Sequence, residues 1–481
     1  MKKNHLISVL VMVALGLSIV SQVSCQNPPK FVFEGQIRNM SESKIILNRL
    51  LGHKETNVSE VQSKSDGSFR ITLDEMPQIG QYRLRIDPAG RNNILEFLFA
   101  GEDRIRFTTD YGFLMDSMRF DNSEVNTLWY AYFKAKEDFE TRLSILEHLL
   151  NIYPVDERFY PEVIKEFNLL QDELEQKIKE FLAGSSNQLL AAYIRSDQSP
   201  RINPYLSSEE RQQFIRLNFL AKVDFSDTLL LRTDIFPGKA LSFIMLFRNQ
   251  RYEREQQAEE FIKATDQLLP LAMIQPVVYN YLLEYTISGF EQIGLEEVLL
   301  HIAENYPVDE TCISDQDSGE LERRMLGYKL LAPGNPAPEI KQNDIYENPF
   351  ELSKLNSERI LIFFWASWCP HCTAMMPDIK ALATQLNADG IDQSDSQKLQ
   401  VVSISIDHDK DEFQAYLENN NLNDSSLRAF WTNLCDYKAW DGQAATDFYL
   451  YATPTMILLN KDKQIIGKPS NVQELIKQLG I

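Results

Sequence analysis

One stretch constrains this chain more than any other. Arg359-Ile360-Leu361-Ile362-Phe363-Phe364-Trp365 is a continuous apolar run, suited to a central strand buried on both faces. Through Ala366-Ser367-Trp368 it passes into Cys369-Pro370-His371-Cys372, and a helical spacing follows at Met375, Met376, Ile379, Leu382 and Leu386. A strand that hands over directly to a helix sets Cys369 at the helix N-terminus. Unpaired N–H groups and the positive end of the helix dipole there favour a thiolate, the attacking species in disulfide exchange. Pro370 at the first helical position costs no hydrogen bond. Cys372 lies one turn on, in position to attack a mixed disulfide at Cys369 and release the substrate. His371 offers a positive charge or a hydrogen bond to the thiolate.

The surrounding pattern extends the same domain. Val401–Ile406 reads as a second buried strand, with a short helix near Glu412–Leu417. Thr455–Leu459 pairs with Gln464–Ile466 as a hairpin, and Val472–Leu479 closes as a helix. This order, with one CxxC at a strand-to-helix junction, resembles the thioredoxin fold over residues 332–481. Trp365-Ala366-Ser367-Trp368-Cys369-Pro370-His371-Cys372 is similar to the family's WAxWCxxC signature, Pro377 to its helix-kinking proline, and Thr453-Pro454-Thr455 to its cis-proline loop. The Ala337-Pro338 lead-in and the extra segment between about 408 and 435 resemble the TlpA/ResA-like branch of membrane-tethered envelope thiol-disulfide oxidoreductases.

The resemblance implies that Cys369 attacks and Cys372 resolves. It also implies that Pro454, in the cis form, presents backbone beside the sulfur for an extended substrate, with Thr453 and Trp368 in the substrate-binding surface. No bound organic cofactor is implied. Two positions depart from the family: Phe363, where thioredoxins commonly bury an acid, and Met375, where ResA-like proteins often carry Glu. His371 is then the best local candidate for proton handling near Cys372. Pro370-His371 resembles oxidising DsbA-type proteins, whereas Thr453 and the TlpA/ResA-like framework lean toward reduction or isomerisation. About 30 mV of potential corresponds to only about 1.4 kcal/mol, so a tetrapeptide does not fix the direction.

Other chemistries fit less well. Structural zinc needs about four ligands, and the chain has one CxxC pair. Ile362 breaks a peroxiredoxin arrangement before Cys369. His408, in Asp407-His408-Asp409, reads as a solvated loop rather than a metal site. Asp436, Trp440 and Asp441 lead toward Pro454, where they either shape the substrate groove or pack as loop. Cys312 and Cys435 are read either as a structural disulfide or as two buried free thiols, with Cys435 a third redox partner if it lies near Cys369.

Lys2 and Lys3, followed by the uncharged run Leu6–Val20, read as a secretory signal over residues 1–24, with an uncleaved membrane anchor as the rival. Val23-Ser24-Cys25 resembles a bacterial lipobox, with Gln22 where Leu is usual, and implies lipidation at Cys25. The expected location is the cell envelope, periplasmic and tethered by lipid to a membrane. The formal net charge of −21 excludes a general nucleic-acid binder, which needs a basic face. Five cysteines in 481 residues exclude a disulfide-scaffolded fold.

Ahead of the last domain the period changes twice. Residues 27–121 alternate in short runs, namely Phe31–Ile37, Lys44–Leu47, Phe69–Leu73, Tyr82–Ile86 and Ile105–Thr108, with a turn signal at Asp66-Gly67. They argue an antiparallel β-sandwich acting as a spacer or docking module. Residues 122–330 take a helical period, with a cap at Asn122-Ser123-Glu124 and amphipathic stretches at Gln171–Leu182 and Glu253–Leu268. Tyr153-Pro154-Val155-Asp156-Glu157 recurs as Tyr306-Pro307-Val308-Asp309-Glu310, and both copies read as helix endings. Pro333, Pro336 and Pro338 mark the break into the final α/β domain. The expected activity is disulfide exchange with protein thiols and disulfides, supported by a redox partner that recycles the CxxC pair. A binding lipoprotein with a vestigial thioredoxin domain is the rival.

Overall fold

The computed structural model describes residues 31–86, 93–309, 315–388 and 398–481. The signal segment with Cys25, and Cys312, lie outside the described residues. The chain divides into two compact units: Met1–Phe214 with Leu229–Ile235, and Ile215–Thr228 with Phe236–Ile481.

The first unit opens with β1 (Phe31–Arg38), β2 (Lys44–Leu51), β3 (Lys54–Gln62), β4 (Ser68–Leu73), β5 (Gly80–Ile86), β6 (Ile94–Phe99), β7 (Arg104–Asp110) and β8 (Arg119–Phe120). They form two four-stranded sheets, ordered β4-β1-β7-β8 and β3-β2-β5-β6. Alternation buries one face of each, and rings from both meet in one core. Phe33 stacks on Phe97 at 4.3 Å, and Phe31 meets Phe99 edge-on at 4.9 Å. Gly67, at φ +75°, makes the turn into β4 where only glycine sits without strain, and its amide is held by Lys64 O.

Two features depart from the alternation pattern. β3, with the sequence KETNVSEVQ, is mostly polar because it is an edge strand paired only to β2. β1 and β7 pair in parallel, which corrects the expectation of a wholly antiparallel front domain. Parallel neighbours need a long crossover, and here the intervening chain supplies it by building the second sheet.

Helices α1 (Glu124–Ile152), α2 (Tyr160–Gly184) and α3 (Gln188–Asp197) follow, then α4 (Ser208–Asn218). The Ser123 hydroxyl caps α1 by accepting from Asn126 N–H. The Asn126 amide bonds both Leu98 N–H (2.7 Å) and Leu98 C=O (2.8 Å), so α1 covers the free edge of β6.

In the second unit, α5 (Ile235–Met245, all but its first residue), α6 (Arg254–Ala272), α7 (Pro276–Ile293), α8 (Glu296–Asn305) and α9 (Asp315–Leu330) precede the α/β domain. Tyr153 and Tyr306 are the C-caps of α1 and α8, so both copies of the repeated pentapeptide do end helices. After the hairpin β9 (Lys341–Asn343) and β10 (Pro349–Glu351) come β11 (Arg359–Trp365), α10 (Pro370–Ala388), β12 (Gln400–Ser405), α11 (Lys410–Asn419), β13 (Trp431–Cys435), α12 (Gln443–Asp447), β14 (Thr455–Asn460), β15 (Ile465–Gly467) and α13 (Val472–Leu479). The five-stranded sheet runs β13-β12-β11-β14-β15, with β11 central, β12 and β13 parallel to the core direction, and β14 and β15 antiparallel in turn. From Ile360 to Trp365 every residue of β11 is buried. Among the described residues no helix is long and apolar enough to cross a membrane.

Candidate active site

The site grows out of the carboxyl end of β11, the edge where open α/β sheets bind ligands. Trp365 ends the strand buried, with its indole N–H donating to Ser403 Oγ at 2.7 Å. Ala366-Ser367-Trp368 turns the chain, and α10 starts at Pro370, which leaves Cys369 in the capping position. Cys369 and Cys372 form a disulfide with Cα atoms 5.3 Å apart. Cys369 Sγ accepts from the Cys372 backbone N–H at 3.2 Å, as an N-cap side chain would. The same sulfur lies 3.6 Å from the carbonyl oxygen of Thr453. The Thr453–Pro454 peptide is cis. Cys369 keeps 5% of its surface and Cys372 none, while Trp368 is 49% exposed and Pro370 and His371 stand in solvent. The structure thus brings together Cys369, Cys372, Thr453 and Pro454, flanked by Trp368, Pro370 and His371.

Phe363 is fully buried in the core and Met375 packs partly buried against it, so neither family acid position carries polarity here. A different acid organises the turn. Asp407, 1% exposed, accepts from Ser367 N–H at 2.9 Å and Ser367 Oγ–H at 2.7 Å, and also from Ser405 Oγ–H. That corrects the reading of Asp407 as part of a solvated loop. It follows a buried strand and turns inward because Ser367 and Ser405 satisfy it there. His408 is exposed, and the Asp409 carboxylate caps α11. Among the described residues no group of three or more His, Cys, Asp or Glu is placed to hold a metal.

Cys435 ends β13, with its thiol directed at the Asp407 carbonyl oxygen, 3.5 Å away. It is a free, half-buried thiol. Burial is the main cause that pushes its pKa up to about 11; hydrogen bonds from the Tyr437 backbone and the Ser405 side chain oppose it, and the nearby Asp407 and Asp436 add smaller upward contributions. Asp436 caps its own turn, accepting from the N–H groups of Lys438 and Gln443, and Trp440 is 40% exposed.

No local sequence pattern signals that α9 grips the cis-proline loop. Arg323 donates to Leu450 O at 2.8 Å, and the Tyr328 and Tyr451 hydroxyl oxygens lie 2.8 Å apart. A Cβ at Gly327 would come within 2.7 Å of Tyr449 Cβ, so glycine permits this approach of helix to loop.

A single CxxC at the start of a helix, facing a cis-proline across the end of a central strand, defines a thioredoxin-like domain, and residues 357–465 match the family model described as thioredoxin-like. Over 86 residues the chain is 37% identical to protein disulfide isomerase-like 1-4 of Arabidopsis thaliana, covering 17% of this chain and 14% of that protein. A thioredoxin-like protein of Haemophilus influenzae is 28% identical over 126 residues, 26% of this chain and 62% of the relative. The chain therefore spans less than two thirds of either curated relative. Among solved structures, a thioredoxin-like protein from Bacteroides caccae is 19% identical, with 59% of this chain and 97% of that one covered at a TM-score of 0.39.

Proposed function

We propose that the protein is an envelope thiol-disulfide oxidoreductase acting on protein cysteines through Cys369 and Cys372. The observation that carries this reading is the position of Cys369 Sγ, between the Cys372 N–H at 3.2 Å and the Thr453 carbonyl at 3.6 Å. The first contact favours a thiolate, and the second sets the sulfur against backbone that an extended substrate pairs with. The 37% identity over 86 residues with a protein disulfide isomerase-like relative supports it.

In the reducing direction, the Cys369 thiolate attacks a substrate disulfide. The substrate S–S bond breaks, a Cys369–substrate disulfide forms, and one substrate sulfur leaves as thiolate and takes up a proton. Cys372 gives its proton to solvent or to His371 and attacks Cys369 Sγ. A Cys369–Cys372 disulfide forms, the mixed disulfide breaks, and the second substrate sulfur departs as thiolate and takes up a proton. The substrate has gained two electrons and the CxxC pair has lost two, which a partner dithiol restores. In the oxidising direction every bond change reverses, and the partner is a disulfide. Trp368 and Thr453 border the substrate, and Pro454 keeps the loop beside the sulfur. The TlpA/ResA-like branch, lipid attachment at Cys25 and a periplasmic location complete the reading. The two front sheets are read as a sandwich that serves as spacer.

Insulin reduction and oxidative refolding of a reduced ribonuclease test it. Turnover in at least one assay, abolished by Cys369→Ser, is expected. No turnover in either, with both cysteines intact, overturns it in favour of a binding protein.

A further inference from the structure

The cis-proline loop opens onto a cavity that the thioredoxin-like domain does not build alone. Its volume is about 430 Å³, and Pro454, Thr455 and Tyr451 form one wall while α7 and α9 form the other through Glu291, Arg324 and Tyr328. Thr453, next to Pro454, carries the carbonyl that lies 3.6 Å from Cys369 Sγ. The cavity therefore begins one residue from the group that faces the reactive sulfur. An extended peptide advances about 3.3 Å per residue, so a side chain one or two positions from a substrate cysteine reaches it.

The walls specify what enters. The Arg324 guanidinium donates to both Glu291 carboxylate oxygens, and Lys468 pairs with Glu296 at 2.8 Å. The charges on the walls are thus neutralised by one another and ask for no counter-ion from a ligand. Among the remaining lining groups, which include Ser288, Gln292, Leu331 and Met456, the largest are the rings of Tyr328, Phe448, Tyr449 and Tyr451. Tyr328 and Tyr451 meet edge to face at 6.3 Å, and Arg324 lies over the Tyr451 ring at 5.6 Å. Tyr451 is nevertheless 42% exposed, which leaves ring surface open to an incoming group. Rings set edge to face with a stacked guanidinium favour a further ring over an aliphatic chain of equal size.

We propose that this cavity is a substrate subsite that takes a large aromatic side chain flanking the substrate's reactive cysteine, so that α7 and α9 choose which cysteines Cys369 attacks. The continuity of the cavity with the cis-proline wall identifies the occupant as part of the same peptide. The inference rests on the exchange reading above.

The test uses the full chain, pre-reduced with dithiothreitol and freed of it. Two otherwise identical peptides, each dimerised through one disulfide, carry Phe or Ala two positions from the cysteine. The second-order rate constant for reduction of each is measured in a single turnover. The wild type is expected to favour the Phe peptide by about tenfold or more, the scale on which pockets discriminate apolar groups. Gln292→Trp, at the exposed rim, fills the cavity, and Tyr451→Ala removes its wall. In either variant the Phe/Ala ratio is expected to fall to within about twofold of one. A wild-type ratio near one, or a ratio that both variants leave intact while reducing the peptides, overturns the subsite and leaves exchange standing. Failure of the wild type to reduce either peptide overturns both. A Phe peptide made without cysteine that competes with neither substrate, yet a small aromatic compound that does, assigns the cavity to a small molecule instead and also overturns it.

Discussion

The front sheet β3-β2-β5-β6 and the C-terminal sheet around β11 treat charge in opposite ways. On the first, Glu55 on β3 accepts from Asn48 (2.6 Å), Arg85 (2.7 Å) and Arg83, and Arg83 in turn donates to Glu96 (2.7 Å), its register partner on β6. Each of these side chains is answered by one from another strand of the sheet, Glu55 reaching across β2 to Arg83 and Arg85, which makes the cluster structural. In the C-terminal sheet, β11 is apolar through its buried length, and the polar groups around the cysteine pair lie beyond its end, at Ser367, Cys369, Asp407 and the Thr453 carbonyl. The proposed reactivity sits where the strand hands the chain to a helix and a sulfur, rather than a carboxylate, takes the cap. The lesson is that paired charge inside a ladder holds a sheet together, whereas a sulfur partly satisfied at a strand end is left available for exchange.

Four substitutions break or sharpen that contrast. Cys369→Ser is expected to lower insulin-reduction or refolding activity by about a thousandfold or more, since a hydroxyl at neutral pH is not a comparable nucleophile. Retention of more than a tenth of the activity would move the reaction elsewhere.

Asp407→Ala leaves Ser367 N–H and Ser405 Oγ–H without their acceptor in a buried site. It is expected to cost about 1–3 kcal/mol of stability in the second unit and to slow exchange by disordering the turn before Cys369. Denaturant unfolding and the exchange rate measure the two effects, and an unchanged midpoint and rate would remove Asp407 from the account.

Glu55→Ala, on the other sheet, should lower the stability of the first unit by about 1–3 kcal/mol and leave the exchange rate within about twofold. Its pH dependence has a fixed sign. Burial alone would raise the Glu55 pKa, but the bonds from Arg85, Arg83 and Asn48 together outweigh it and hold the carboxyl at about 2. A depressed folded-state value gives stability that is present above the unfolded value near 4.5 and is lost as pH falls toward about 2. Acid unfolding of Glu55→Ala should therefore lose the part of the wild type's pH slope in that window.

Cys435→Ala is the smallest change. With a pKa of about 11, only roughly one thiol in ten thousand is ionised at pH 7. Iodoacetamide should label it far more slowly than reduced Cys369, and its loss should leave exchange within about twofold. Rapid labelling of Cys435 would make it a redox participant.

What was legible in the sequence was local. Arg359–Trp365 and the residues through Leu386 carry their own strand, turn and helix, because burial period, proline at the first helical position and the capping cysteine all lie within one short stretch. Ser123 and the two Tyr-Pro pentapeptides were legible for the same reason. The illegible features join distant residues. Asp407 meets Ser367 from 40 residues away, and Tyr328 meets Tyr451 from 123. The parallel pairing of β1 with β7 depends on the return path of the whole front sheet, which no alternation pattern encodes. β3 escaped because an edge strand can be almost wholly polar.

Trapping is the most direct measurement of the central claim. Cys372→Ser, incubated with a cysteine peptide activated as a disulfide, is predicted to accumulate one covalent adduct, which mass spectrometry of the digested protein locates on Cys369. An adduct on Cys312 or Cys435 instead, or none on Cys369 under conditions that label a free thiol, would contradict it.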